Sequence, residues 1–189
     1  MEDPPSAPPI PDPAEHARDW CTRDGRLTRL RDLRPDDLEL ELAFVDGLSP
    51  ETRYLRLQYA SAGMSRSLAE RLLELDGRDR VAIAATSADG GGERIVGVCR
   101  YAREPSARSA EFAIVVADAW QGCGLGTELF RALCIAARHR GIHRLYGETL
   151  ATNRRFIDWA RSLGFEVTHA TEADHVRVTL DLNGPKAPL

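Results

Sequence analysis

Three glycines fall within five residues in segment 121–127, which follows the apolar run 112–117 and opens a stretch with helical spacing. Glycine allows tight backbone conformations and leaves the neighbouring N–H groups unshielded. The first turn of a helix also carries N–H groups that lack partners, at the positive end of the helix dipole. The pattern predicts a strand, a tight turn and a helix that together form a cradle suited to a pyrophosphate. A helix start that needs glycine only for tight packing is the alternative. The segment reads Gln121-Gly122-Cys123-Gly124-Leu125-Gly126-Thr127.

The order of the glycines differs from two common nucleotide-binding motifs. The P-loop requires a lysine after its last glycine, and none follows the glycines here. The dinucleotide-binding motif requires G-x-G-x-x-G with an acid on a second strand, and the segment lacks that pattern as well. The anion bound here is therefore expected to belong to another kind of ligand.

The remaining chain alternates strand and helix patterns. Such an order is typical of an α/β (α+β) protein in which a mixed sheet carries helices on both faces. Helices are expected over 38–45, in a short segment capped by Ser49, and over 65–75, 125–140 and 152–163; strands are expected over 27–33, 80–85, 93–101, 109–116, 142–150, 165–167 and 175–180.

The two ends of the chain are predicted to lie outside the folded unit. Residues 1–24 are rich in proline and acids, and such a segment buries too little apolar surface to offset its ordering entropy. Residues 183–189 form a second tail. The folded domain is expected over 25–182, and a chain of 189 residues has room for one such domain.

Composition and charge narrow the classes of partner that the chain is expected to bind. Hydrophobic residues make up 43% and charged residues 29%, and the net charge is −4. An acidic chain is a poor match for nucleic acid, whose binding needs a basic face, and a better one for a cationic partner. No apolar run is long enough to span a membrane and no signal peptide is evident, so a cytoplasmic protein is expected.

No metal site is expected. The four cysteines lack C-x-x-C spacing. His139 and His143 are separated by Gly141, which ends the helix that would place them on one face.

The glycine segment resembles the acetyl-CoA signature of the GCN5-related N-acetyltransferase (GNAT) superfamily. The matching pattern is Gln121-x-x-Gly124-x-Gly126, directly after strand 111–116, and two further matches are Leu150-Ala151-Thr152-Asn153 and Leu163-Gly164-Phe165. The resemblance implies the GNAT fold, with a mostly antiparallel sheet of about six or seven strands, and acetyl-CoA as co-substrate. It also implies that residues 121–127 bind the coenzyme.

A narrower resemblance is to the acetyltransferase domain of bacterial protein-lysine acetyltransferases. It rests on residues 48–56, 95–101 and 110–113. In those proteins the domain is often fused to an acyl-CoA-synthetase-like region or to a cyclic-nucleotide-binding domain. A chain of 189 residues is too short for either, so regulation through such a fused domain is not expected.

The resemblance assigns roles to residues of the strand that precedes the glycines. A lysine ammonium has a pKa of ~10.4, so a base must remove a proton before the amine attacks a thioester. Glu111 is the expected base. Alternatively, Glu111 is only the polar residue of a strand in which polar and apolar residues alternate. The backbone N–H of Val116, or of a neighbour, is the expected oxyanion donor. Val115 and Val116 would line the path of the acetyl group and pantetheine, which enter where strands 109–116 and 142–150 separate.

Four further positions receive expectations. Asn153 would contact the pantetheine arm, or else cap its helix. Glu148 would line the acceptor groove, or else be an ordinary exposed strand residue. Phe156 and Trp159 occupy the positions where many GNAT enzymes carry a tyrosine acid, so the thiolate is expected to leave unaided or to be protonated by water.

The function has three candidate interpretations, which differ in the acceptor or in whether catalysis occurs. The first is the side-chain amine of a protein lysine, the second is a small-molecule amine, and the third is a sensor that binds acetyl-CoA with little catalysis. The protein is expected to be a monomer or a homodimer, with edge strands near 175–180 available for pairing.

Overall fold

In the computed structural model, eight strands form one sheet in the order β1-β2-β3-β4-β5-β6-β8-β7. The structure describes residues 17–57, 64–88, 91–104, 107–172, 174–185 and 188. Two short 3-10 helices, Pro35–Asp37 and Asp118–Trp120, accompany the main elements. These elements are β1 Arg18–Cys21, β2 Leu27–Asp32, α1 Leu38–Asp46, α2 Pro50–Leu57, α3 Arg66–Leu72, β3 Arg80–Ala88, β4 Glu93–Ala102, β5 Ser109–Val116, α4 Leu125–His139, β6 Arg144–Leu150, α5 Arg154–Ser162, β7 Glu166–His169 and β8 His175–Asp181.

Two apolar cores lie on opposite faces of the sheet. Strand β3 contributes to both, because successive side chains of a strand point to opposite faces. Val81, Ile83 and Ala85 join the core under α4 and α5, whereas Ala82 and Ala84 join the core under α1. The predicted mixed sheet with helices on both faces is confirmed.

The sheet is antiparallel except for one pair of strands. Strands β5 and β6 run parallel, since helix α4 carries the chain from the end of one to the start of the other. Helix α4 has the predicted apolar stripe and ends before Gly141, whose φ is 73° and whose N–H donates to the oxygen of Arg138 at 2.9 Å.

The boundary of the N-terminal tail needs correction. Residues 1–24 were expected to lie outside the fold, but Arg18–Cys21 pairs antiparallel with β2 and brings the sheet to eight strands. Thr22 is buried and Trp20 packs against the core under α4. The strand escapes notice in the sequence because it has four residues and most of its side chains are exposed.

The expectation of a free edge near 175–180 is wrong. Strand β8 lies between β6 and β7 and is paired on both sides. Within the described residues, the sheet ends at β1 on one side and at β7 on the other.

Candidate active site

A cleft opens where β5 and β6 stop pairing. Their register covers 109–111 of β5 and 144–146 of β6, and the rest of the two strands is unpaired at this boundary. The N–H of Ala117 donates to the oxygen of Val96 on β4 at 2.9 Å. Successive backbone groups of a strand point to opposite edges, so the N–H of Val116 points into the cleft. The strands therefore separate as expected, next to the proposed oxyanion donor.

The glycine segment forms the floor of this cleft. Gly122 and Gly124 have φ values of 80° and 93°, which side chains rarely tolerate, and Gly124 is the N-cap of α4. Within the described residues, no acceptor takes the backbone N–H groups of residues 122–127; Glu128 is the first to donate, to Gly124 at 3.2 Å. Six N–H groups at the positive end of a fifteen-residue helix suit a pyrophosphate.

Gln121 fastens this segment to its neighbours. Its Nε2 donates to the oxygen of Val116 at 2.9 Å, and its Oε1 accepts a hydrogen bond from Arg155 of α5. The side chain thus links the end of β5, the glycine segment and α5.

Two side chains of the segment point inward. The Cys123 thiol is buried and donates to the oxygen of Trp120 at 2.9 Å. Thr127 Oγ1 accepts a hydrogen bond from Trp159 Nε1 at 3.1 Å. Both residues therefore offer the cleft their backbone N–H groups while their side chains stabilise the loop.

Asn153 is a helix cap. Its Oδ1 accepts from the N–H of Phe156 at 3.4 Å, and its Nδ2 donates to Thr149 Oγ1 at 2.9 Å. The capping alternative is confirmed, and a contact between Asn153 and pantetheine stays a prediction.

Glu111 lies at the mouth of the cleft. It is the last residue of β5 that pairs with β6, opposite Tyr146, and it is exposed. Its carboxylate has no hydrogen-bond or ion-pair partner within the described chain. Side chains 111, 113 and 115 share a strand face, which helix α2 lies against. The carboxylate is therefore free to accept a proton on the α2 side of the cleft.

Glu148 has a different environment. It accepts two hydrogen bonds from Arg177 of β8, at 2.9 and 2.7 Å, and Arg177 also lies 5.2 Å from the centroid of the Tyr146 ring. A neighbouring guanidinium therefore balances the charge of Glu148, which is an exposed strand residue, and a place for it in the acceptor groove stays a prediction.

The aromatic residues of α5 belong to the core. Phe156 and Trp159 stack with centroids 5.4 Å apart and pack with Phe112, Phe130 and Phe165. Neither offers an O–H group to a leaving thiolate, as the sequence predicts.

No local pattern in the sequence points to Asp118, which connects α2 to the loop before the glycines. Its carboxylate accepts from the Ser49 N–H at 2.9 Å, the Ser49 hydroxyl at 2.8 Å and the Thr52 hydroxyl at 2.6 Å. Desolvation raises the pKa of Asp118, but the hydrogen bonds from Thr52 and Ser49 outweigh it, and the net pKa is lowered. The capping role predicted for Ser49 is confirmed, since its hydroxyl accepts the Thr52 N–H at 3.1 Å.

The N-terminal hairpin also escaped the sequence analysis. The N–H of Arg23 donates to the oxygen of Cys123 at 3.0 Å, so the turn between β1 and β2 touches the glycine segment. The contact joins residues 100 apart in the sequence, and no local pattern announces it.

One cluster in the described part of the chain has the side chains of a metal site. Glu172, Asp174 and His175 bring their ligand atoms within 4.8 Å of one another. The imidazole Nδ1 lies 2.8 Å from Asp174 and 3.2 Å from Glu172. In the described residues, no helix has both the length and the apolar composition needed to cross a membrane.

The family follows from this fold and cleft together with the sequence comparison. The model of the Acetyltransferase (GNAT) family matches residues 43–165. The chain belongs to that family and is an acyltransferase. The family uses acetyl-CoA as co-substrate, and the unpaired N–H groups of the glycine segment fit its diphosphate.

Individual relatives refine the picture. The chain is 36% identical over 142 residues to acetyltransferase PA5475 of Pseudomonas aeruginosa, covering 75% of this chain and 76% of that protein. It is 33% identical over 156 residues to acetyltransferase Pat of Mycolicibacterium smegmatis, covering 77% of this chain and 46% of that protein. The chain therefore spans about half the length of this mycobacterial relative.

The comparison with solved structures agrees with the family assignment. The GNAT domain of S. lividans PAT superposes with a TM-score of 0.82 at 30% identity, over 90% of this chain and 99% of that domain. A cAMP-binding acyltransferase from Mycobacterium smegmatis gives a TM-score of 0.62 at 27% identity, over 89% of this chain and 48% of the other. The GNAT fold implied by the resemblance is confirmed, with eight strands in place of six or seven.

Proposed function

We propose that the protein transfers an acetyl group from acetyl-CoA to a primary amine, the side chain of a protein lysine. The observation that carries the proposal is the Glu111 carboxylate, which has no partner among the described residues and lies where β5 and β6 separate, on the strand that leads into the N–H cradle. Similarity to acetyltransferase Pat of M. smegmatis and to the GNAT domain of S. lividans PAT supports acetyl transfer. The resemblance of residues 48–56, 95–101 and 110–113 to bacterial protein-lysine acetyltransferases favours a protein lysine as the acceptor. A cytoplasmic location is part of the same proposal.

Glu111 acts first, as general base. The acceptor arrives as an ammonium, and the Glu111 carboxylate takes its proton, directly or through a water. The free amine nitrogen then attacks the thioester carbon, a carbon–nitrogen bond forms and the carbon–sulfur bond breaks, and the nitrogen releases its extra proton to water. Coenzyme A supplies the acetyl group as a thioester and leaves as a thiolate, which water protonates.

Val116 stabilises the charge that develops during the attack. Its N–H points into the cleft, where it donates to the thioester oxygen as negative charge builds there. Val115 and Val116 line the path of the acetyl group and pantetheine, and residues 121–127 hold the diphosphate. Thus the base and the oxyanion donor stand on one strand, and the strand leads directly into the cradle.

The Glu111→Gln variant tests the base. Turnover is expected to fall by about 10²–10⁴-fold, because the amide does not accept the proton, while the Kd for acetyl-CoA stays within about twofold. Glu148→Gln is the comparison, and its turnover should fall less than tenfold because Arg177 already balances Glu148. Equal losses in both variants would assign the base elsewhere.

Mass spectrometry identifies the acceptor. The purified protein is incubated with acetyl-CoA and either a lysine-rich protein pool or a panel of small amines. Acetylated protein lysines are the expected product. Acetylation of small amines alone would assign the small-molecule activity, and binding without turnover would assign a sensor.

A further inference from the structure

The turn between β1 and β2 is held against the glycine segment by backbone and side-chain contacts. The Arg23 N–H bonds Cys123, as described above. Arg26 Nη1 donates to the oxygen of Ala119 at 3.0 Å, and its guanidinium lies 4.0 Å from the centroid of the Trp120 ring. These contacts fix the hairpin beside the cradle without using the side chain of Arg23.

The charge of Arg26 is already balanced within the hairpin. Its guanidinium lies 2.6 Å from the Asp24 carboxylate. The hydrogen bond from Arg26, followed by one from Thr22, lowers the pKa of Asp24 to about 2. Arg26 is therefore a structural contact.

Arg23 is placed differently. Its Nε and Cγ lie 3.3 and 3.5 Å from the position that a Cβ would take on Gly124, so its side chain crosses the open side of this glycine. Within the described residues its guanidinium has no acceptor. Asp24 of the same turn is paired with Arg26, and Glu128 of the first turn of α4 is paired with Arg18. An unbalanced guanidinium thus stands beside the six free N–H groups.

A second guanidinium stands at the first glycine of the cradle. Arg155 Nη2 lies 3.6 Å from the position of a Cβ on Gly122, while its Nη1 binds Gln121. Cations from the N-terminal hairpin and from α5 thus approach two different glycines of the loop. Two guanidiniums thus approach the loop although the whole chain has a net charge of −4.

We propose that Arg23 binds a phosphate group of coenzyme A, so that the N-terminal hairpin completes the coenzyme site. The proposal rests on the proposed function. Guanidinium and phosphate form paired, charge-assisted hydrogen bonds, and the free N–H groups place the phosphates within the reach of this side chain. Residue 23 lies outside the segment 43–165 that matches the family model, so that match assigns it no role.

Calorimetric titration with coenzyme A tests the inference. Arg23→Ala is expected to raise the Kd by about 10- to 100-fold, the range of one lost hydrogen bond to a charged group. Arg23→Gln keeps the aliphatic stem over Gly124 and removes the charge, so its Kd should rise equally. Arg23→Lys should bind between these variants and the wild type. Arg29→Ala, which removes an exposed guanidinium 3.6 Å from Asp19, is the matched control and should leave the Kd within twofold.

The outcomes separate the two proposals. If wild-type protein fails to bind coenzyme A, the proposed function is overturned. If the wild type binds and Arg23→Gln binds equally well, the proposed function stands and the role of Arg23 is overturned. Thermal unfolding without coenzyme A should give the same Tm for wild type and Arg23→Gln, since the backbone contact to Cys123 survives the substitution.

Discussion

Two glycines of the cradle, Gly124 and Gly126, are there for different physical reasons. Gly124 has a φ of 93°, whereas Gly126 lies in the first turn of α4, where a Cβ would meet Val116 at an ordinary 3.6 Å. Only the first position therefore requires glycine for its backbone conformation.

Alanine at these two positions should change stability in opposite directions. Gly124→Ala is expected to lower the free energy of unfolding by about 1–2 kcal/mol through left-handed strain. Gly126→Ala should raise it by up to about 1 kcal/mol through helix propensity. Urea denaturation measures both, and a loss of stability in both variants would show that the helix start is strained throughout.

The lowered pKa of Asp118 predicts that the stability of the fold depends on pH. Its pKa is lowered in the folded state from an ordinary 3.8, so its stabilising contribution is fully present above that value. The contribution is lost as the pH falls through the lowered pKa. Asp118→Asn is expected to be less stable than the wild type at pH 6, with a difference that shrinks towards pH 2. Denaturation curves at both pH values check this, and a pH-independent difference would contradict it.

At the scale of elements, the separation of β5 from β6 depends on a close approach at Gly147. A Cβ on this residue would lie 3.0 Å from the backbone oxygen of Phe112 and 3.2 Å from its ring. Backbone atoms yield little, so the two strands must shift if a side chain is added here.

Gly147→Ala should therefore lower the stability of the sheet and weaken the binding of coenzyme A. Overpacking is expected to cost about 1–3 kcal/mol of stability. The Kd for coenzyme A should also rise, because the cleft changes width. Gly126→Ala, which adds the same methyl group where there is room, is the matched control for the stability measurement alone. Unchanged stability and unchanged Kd in Gly147→Ala would show that the strands adapt freely.

For the whole molecule, coenzyme binding and folding are linked. The cleft and cradle are assembled from β5, α4, β6 and α5, so the unfolded chain lacks the site. Acetyl-CoA at 100 times its Kd should stabilise the fold by about 2.7 kcal/mol.

That stabilisation should appear as a rise in Tm of about 5–10 °C for a chain of this size. Glu111→Gln should show the full rise despite its loss of turnover, since Glu111 takes no part in holding the diphosphate. Thermal unfolding with and without acetyl-CoA provides the measurement. A reduced rise in this variant would mean that Glu111 acts through coenzyme binding.

Much of the fold and part of the site followed from local patterns. The apolar periodicity of α4 and the glycines before it predict a helix whose first N–H groups are unshielded. The structure has this helix, and its N-cap Gly124 makes no side-chain cap hydrogen bond. The short strand β1 was missed because four mostly exposed residues carry almost no pattern. The sequence pattern predicts an edge near β8, although β7 pairs with that strand in the structure.

The sequence by itself determined the order of the main elements, the positive-φ glycines and the identity of the unpaired N–H groups, because helix period, strand alternation and glycine geometry act over a few residues. Only the tertiary structure decided which charges are free. Glu111 and Glu148 are both strand glutamates, but Arg177 comes from a different strand to balance just one of them. Arg23 likewise gains its place beside Gly124 through a contact across 100 residues of chain, and electrostatic pairing at such separations depends on packing.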